Sequence, residues 1–138
     1  MQRFNLIWMF NPDSSKVLMC KRHKEPYLGL FNLVGGKIEE NERGFASAYR
    51  ELEEEAGIVP MHLACALRHL VDFTYFVGNV RVEVYVSKLA TDVPVFGDEK
   101  ELLWLDVNEN FFDMTRFAGE GNIGHILEII KKSCADLM

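Results

Sequence analysis

Positive charge is scarce in this chain: 15 Lys and Arg stand against 21 Asp and Glu, a formal net charge of −6 over 138 residues. Binding along a phosphate backbone depends on clustered Lys and Arg that displace counterions, so the balance argues against a duplex nucleic-acid partner. Cysteine is sparse too. Cys20, Cys65 and Cys134 are odd in number, widely spaced and free of any CxxC pair, which excludes a disulfide scaffold and reads as buried thiols in a reducing compartment. Long apolar runs are missing: Leu6 to Phe10 stops at Asn11-Pro12-Asp13, too short for a signal peptide or a membrane span. A cytoplasmic location without a membrane partner is expected. Four Pro, ten Gly and 26% charged residues leave no room for collagen-like or low-complexity classes.

What is present is a core. A composition that is 49% hydrophobic and 12% aromatic suits one packed domain. No repeat, linker or charge block divides residues 1–138, so one α/β domain with helices packed on a mixed sheet is expected. Arg3 to Phe10 and Lys16 to Lys21 read as strands of a hairpin around Asn11-Pro12-Asp13-Ser14-Ser15. From Arg43 to Ala56 the period changes, with Phe45, Tyr49, Leu52 and Ala56 within about 60° of one another on a helix. Asn41 is placed to cap that helix and Gly57 to close it. Cys65 to Val77 and Val80 to Leu89 form a second predicted hairpin around Gly78-Asn79. A loop over 90–100, a short strand over Leu102 to Leu105, and a closing helix through Ile123, Ile126, Leu127 and Ile130 complete the pattern.

On the first helix, Glu51, Glu54 and Glu55 fall within about 100° of arc opposite the apolar stripe, flanked by Arg50. Like charges at Glu51 and Glu55 cost an isolated helix about 0.2–0.5 kcal/mol, which a bound divalent cation would remove. An all-carboxylate donor set favours Mg²⁺ or Mn²⁺ over zinc, and His23, His62, His69 and His125 form no ligand-spaced pair. Just upstream, Gly35-Gly36-Lys37 provides a tight turn able to present a carbonyl to a metal or amides to a phosphate, with Lys37 adding a point charge. A diphosphate cannot approach such a cluster unless metal neutralises it. The chemistry indicated is metal-dependent hydrolysis of a phosphoanhydride.

These residues resemble the Nudix hydrolases, whose pattern is Gly, five residues, Glu, seven residues, Arg-Glu-aliphatic-any-Glu-Glu-any-Gly-aliphatic. Gly36, Glu42, Arg50, Glu51, Leu52, Glu54, Glu55, Gly57 and Ile58 occupy every specified position from 36 to 58. A chance match at average residue frequencies has a probability below about 10⁻⁶. The resemblance implies an α/β/α sandwich with a central mixed sheet. It also implies metal ligation by Glu51, Glu54, Glu55 and the carbonyl of Gly35, with Glu42 and Arg50 orienting the cluster. An acidic residue outside the box completes such sites; Glu99 is the choice, with Asp98 and Glu101 as rivals. Glu51 is assigned as general base, and Glu51, Arg50 and Glu99 form the catalytic set.

The segment Phe31-Asn32-Leu33-Val34-Gly35-Gly36-Lys37 resembles MutT-like and oxidised-purine triphosphatase members. There an asparagine at the position of Asn32 hydrogen-bonds the purine edge, and a basic residue near Arg22 faces the phosphates. Asn122 reads either as a base-contacting asparagine or, after Gly121, as a helix cap. Two departures stand out: Val34 replaces a common Pro, and Phe111-Phe112-Asp113-Met114 lacks the acidic pair of the animal enzymes. The substrate set is thus Arg22, Asn32, Lys37 and Asn122. The expected reaction converts a nucleoside triphosphate, such as 8-oxo-dGTP, to monophosphate and pyrophosphate. The alternatives are a pyrophosphatase for ADP-ribose, nucleotide sugars or dinucleoside polyphosphates, and a non-catalytic Nudix-fold sensor. The expected partner is a small nucleotide, bound by a monomer or homodimer.

Overall fold

A computed structural model describes residues 1–97 and 101–138. Six strands form one sheet: β1 (Gln2–Phe10), β2 (Lys16–Lys21), β3 (Phe31–Leu33), β4 (Arg68–Tyr75), β5 (Val80–Lys88) and β6 (Glu101–Asp106). The helices are α1 (Gly44–Ala56) and α2 (Asn122–Ser133). The strand order is β3-β2-β1-β5-β4, and β6 pairs with β2. The sheet is mixed because β1 runs parallel to β5 from Gln2↔Val80 to Phe10↔Lys88, whereas the other pairings are antiparallel. The second predicted hairpin, Cys65 to Val77 with Val80 to Leu89, is present as the antiparallel pair β4–β5, its first strand running from Arg68 to Tyr75 and its second from Val80 to Lys88.

The hairpin predicted from β1 and β2 is real only at its turn, where Phe10 pairs with Val17. Beyond that point the strands part, and the chain over 31–38 enters between them. Phe31–Leu33 pairs with β2, while the following residues pair with β1: Ile7 N donates to Val34 O at 2.8 Å, Asn5 N to Gly36 O at 2.8 Å, and Ile38 N to Arg3 O at 2.9 Å. This insertion brings the Gly35-Gly36 turn to the middle of the sheet.

Strand alternation then divides the core into two layers. Trp8 and Phe10 pack with Ile123, Ile126, Leu127 and Ile130 of α2, and Ile7 and Met9 pack with Ala48, Leu52 and Ala56 of α1. Burying each large apolar side chain of this kind contributes about 1.5–3 kcal/mol. The expected α/β/α sandwich is thus present. No helix among the described residues is long and apolar enough to cross a membrane.

Three local expectations are corrected. Asn41 does not cap α1: it lies in a turn with φ 68°, and the cap position is Arg43, which makes no side-chain capping bond. The buried face of α1 is Ser47, Ala48, Glu51, Leu52 and Ala56, rotated from the predicted stripe, and Phe45 lies exposed with its ring 4.9 Å from that of Tyr85. The rotation follows from what α1 packs against, since small Ser47 and Ala48 let it approach β1 closely. Finally, Asn122 is the first residue of α2 and Gly121, at φ 87°, is its cap. Gly57 behaves as expected: at φ 71° its N–H donates to Glu53 O at 2.9 Å, closing α1.

Gly44 opens α1 where a Cβ would lie 2.1 Å from Tyr85 Oη and 2.3 Å from Glu83 Oε1. Those atoms share a buried hydrogen bond of 2.9 Å. Helix propensity alone makes Gly44→Ala stabilising by about 0.5–1 kcal/mol. The steric conflict reverses the sign, and we expect a loss of about 1–3 kcal/mol, measurable as a lowered midpoint in urea unfolding.

Candidate active site

Helical geometry places Arg50 and Glu54 one turn apart, and the loop before α1 brings Glu42 to the same side. Arg50 grips Glu42 with a two-pronged contact, Nε to Oε2 at 2.8 Å and Nη2 to Oε1 at 2.9 Å. Its Nη1 donates to Glu51 Oε1 at 3.0 Å and to Glu54 Oε2 at 3.1 Å, and Nη2 also reaches the Lys37 carbonyl at 3.1 Å. One guanidinium therefore ties three carboxylates and the turn after Gly36 together, the planar fork geometry that lysine cannot reproduce.

The environments of these carboxylates differ. Arg50, together with the Glu39 N–H, holds the Glu42 carboxyl down at about 2. Glu51 lies on the inner face of α1, only 7% exposed. Burial pushes its pKa up, partly countered by Arg50 and reinforced by Glu55 and Glu54. The expectation that Glu51 shares a solvent face with Glu54 and Glu55 is therefore corrected. Glu54 is exposed and Glu55 half-buried, while Glu51 points inward toward the glycine turn because α1 is rotated onto β1.

The turn is built to receive it. A Cβ on Gly36 would lie 2.5 Å from the Glu51 Cδ, and one on Gly35, at φ 153°, would lie 2.2 Å from Asn5 O. Only glycine admits the Glu51 carboxylate and the β1 backbone at these distances. Asn5 and Ser47, both fully buried, are site residues that sequence reasoning missed. Asn5 Oδ1 accepts from Gly36 N at 3.1 Å and its Nδ2 donates to Ser47 Oγ at 2.9 Å. The available signal was a polar residue at the inward period of a strand otherwise apolar through Ile7 and Met9.

The remaining predicted residues are dispersed. Lys37 is exposed beside the cluster, its carbonyl on Arg50. Arg22 follows β2, and its Nε donates to Pro26 O at 2.6 Å within its own loop. Asn32 pairs with Cys20, whose side chain belongs to the α1 layer, and its Oδ1 accepts from Leu33 N at 2.9 Å. Asn122 donates from Nδ2 to Tyr75 Oη, and Tyr75 packs in the α2 layer. The sheet thus separates the two asparagines that the sequence grouped together. Glu99 and its rival Asp98 lie outside the described residues; Glu101 is exposed on β6, 3.8 Å from His23 Nε2.

Among the described residues, no three His, Cys, Asp or Glu side chains converge closely enough to hold an ion. Glu51 and Glu54 are instead drawn onto Arg50. The donor chemistry nonetheless fits a hard divalent cation: Glu51, Glu54 and Glu55 offer carboxylate oxygen, and the cradle that a Cβ on Gly36 would fill lies against Glu51, the most deeply buried of them. Glu51, Glu54, Glu55 and the Gly35 carbonyl are the groups that would hold it.

Comparison with known proteins gives a consistent picture. The family described as the NUDIX domain matches residues 2–122. An ADP-ribose pyrophosphatase from Methanocaldococcus jannaschii is 39% identical over 46 residues, which span 33% of this chain and only 27% of that relative. Among solved structures, the bifunctional NMN adenylyltransferase/ADP ribose pyrophosphatase of Francisella tularensis, complexed with AMP and a Mn ion, superposes with a TM-score of 0.77 at 21% identity, covering 96% of this chain and 42% of that one. The E. coli dihydroneopterin triphosphate pyrophosphohydrolase gives 0.71 at 21% identity, covering 95% and 96%.

The Glu42–Arg50 contact makes stability depend on acid. A carboxyl whose pKa is depressed on folding contributes stability above its unfolded value and loses it as pH falls through the folded one. Melting temperatures should therefore drop between the ordinary 4.5 and about 2. Glu42→Gln should flatten that part of the profile, and an unchanged profile would show that the pair does not hold Glu42 down.

Proposed function

The chain belongs to the Nudix family, whose hydrolases use a divalent metal, and we propose on that premise that it hydrolyses nucleoside diphosphate-linked substrates. The preferred substrate in this reading is a nucleoside triphosphate, including oxidised purines such as 8-oxo-dGTP, cleaved to monophosphate and pyrophosphate. The single observation that carries the hydrolytic reading is the binding of Glu42, Glu51 and Glu54 by one guanidinium beside the glycine turn.

The roles follow from position. Water adds to a phosphorus, the anhydride P–O bond breaks toward the pyrophosphate, and Glu51 takes the proton from the water. A divalent ion, when bound, neutralises the phosphates and polarises their oxygens. Arg50 orients Glu51 and Glu54 through Nη1, and Glu42 fixes Arg50 from the far side. Lys37, exposed next to this group, supplies a cation for the phosphate chain, with Arg22 as a second. Asn32 offers an amide able to donate to and accept from a base edge. Asn122 gives one amide hydrogen to Tyr75 Oη, and its amide has a second donor and an acceptor with which to read a base. Glu99 completes the acidic set as a proposed ligand.

The triphosphate preference rests on the segment Phe31 to Lys37. A second reading, cleavage of ADP-ribose or a related nucleoside diphosphate derivative, is favoured by the 39% identity to the Methanocaldococcus jannaschii enzyme. Pyrophosphate release over a panel of triphosphates, set against AMP release from ADP-ribose, separates them. Turnover of triphosphates supports the first reading; inert triphosphates with active ADP-ribose replace it with the second.

Either substrate demands the same metal ligands. Glu54→Gln and Glu55→Gln should each lower kcat by at least about 10²-fold with melting temperature little changed. Full activity in both variants would overturn the ligand assignment.

A further inference from the structure

We propose that Asn5 is a positioning residue that sets the Gly35-Gly36 turn at a fixed distance from Glu51. The proposal rests on the metal-dependent reading above.

Asn5 sits mid-strand in β1, fully buried. A primary amide at such a position is costly unless its polar atoms are bonded. Here both ends of the amide are used, and toward two different elements. Oδ1 accepts from the Gly36 N–H at 3.1 Å, while Nδ2 donates to Ser47 Oγ at 2.9 Å. Ser47 Oγ in turn donates to the Gly44 carbonyl at 2.7 Å, in the first turn of α1. The Asn5 backbone N–H also donates to Gly36 O at 2.8 Å. One residue therefore holds Gly36 by its amide and by its carbonyl.

The same residue sets the fit on either side of that grip. Gly35 lies so near β1 that a Cβ would meet Asn5 O at 2.2 Å and Asn5 Oδ1 at 2.8 Å. Gly36 meets the Glu51 carboxylate, with a Cβ placed 2.5 Å from both Cδ and Oε1. Ser47 stands one helical turn before Glu51 on the same face of α1. The amide thus spans from the turn that carries the Gly35 carbonyl to the helix face that carries Glu51. Leucine has nearly the same shape but would leave the Gly36 N–H and the Ser47 hydroxyl without these partners.

A merely structural role would appear in stability alone; a positioning role also appears in metal affinity and kcat. The test uses the full chain as wild type, Asn5→Leu and Ser47→Ala. Mn²⁺ binding is followed through the paramagnetic resonance of the free ion, with melting temperature, kcat and KM measured alongside. Below the melting transition, Asn5→Leu should weaken Mn²⁺ binding and lower kcat by about 10–100-fold, with KM changed much less, and Ser47→Ala should fall between it and wild type. If Asn5→Leu does not fold, Ser47→Ala decides alone. Wild-type Mn²⁺ affinity and kcat in a folded variant that merely melts earlier would overturn the proposal while leaving the metal reading intact. Absence of Mn²⁺ binding by the wild type would overturn both.

Discussion

The interaction on which the site depends is the engagement of Arg50 with three carboxylates. Glu51, Glu54 and Glu55 on adjoining positions of one helix repel each other, and Glu51 is additionally buried, so an unaided cluster opposes both the helix and its packing. Arg50 supplies the compensating charge from within the same helix, and its fork toward Glu42 keeps it there. The bond to the Lys37 carbonyl extends that anchorage to the loop before the helix. The acidic surface is thus ordered by the protein's own cation, and what a divalent ion would add is a competing and stronger attraction for Glu51 and Glu54.

That arrangement is possible because β1 has different neighbours along its length. Parallel pairing with β5 on one edge makes it a central strand, while its separation from β2 admits the segment that carries the glycine turn. The turn is consequently held by a sheet backbone rather than by a loose loop. α1 is rotated so that Ser47, Ala48 and Glu51 meet this surface. The glycine turn and Glu51 are therefore held by rigid elements on both sides, β1 on one and α1 on the other.

Much of this could be read from the amino-acid order because it is local. The spacing of Gly36, Glu42, Arg50, Glu51, Glu54 and Glu55 identifies the box, and Gly57 closes α1 through a bond to Glu53 O, its neighbour one helical turn back. The parallel β1–β5 pairing was not legible, since nothing within either strand encodes a partner some eighty positions away. The rotation of α1 escaped for a similar reason: Phe45 matches the helical period, yet Ser47, Ala48 and Glu51 are buried in its place, with Tyr49 only partly buried at the edge of the core. Asn32 and Asn122 share a chemistry, but strand alternation turns Asn32 toward the α1 layer while Asn122 opens α2 on the other side of the sheet. Asn5 carries no local signature of its role, because its two partners, Gly36 and Ser47, come from elsewhere in the chain.

The central claim is that the inward-facing carboxylate at the glycine turn forms part of a divalent-cation site. Calorimetric titration of wild type and Glu51→Gln with Mg²⁺ and Mn²⁺, with and without a nonhydrolysable triphosphate, tests it most directly. Saturable uptake by wild type that is lost or strongly weakened in Glu51→Gln is the predicted result. Equal uptake by both proteins, or none by either under any of these conditions, would contradict it.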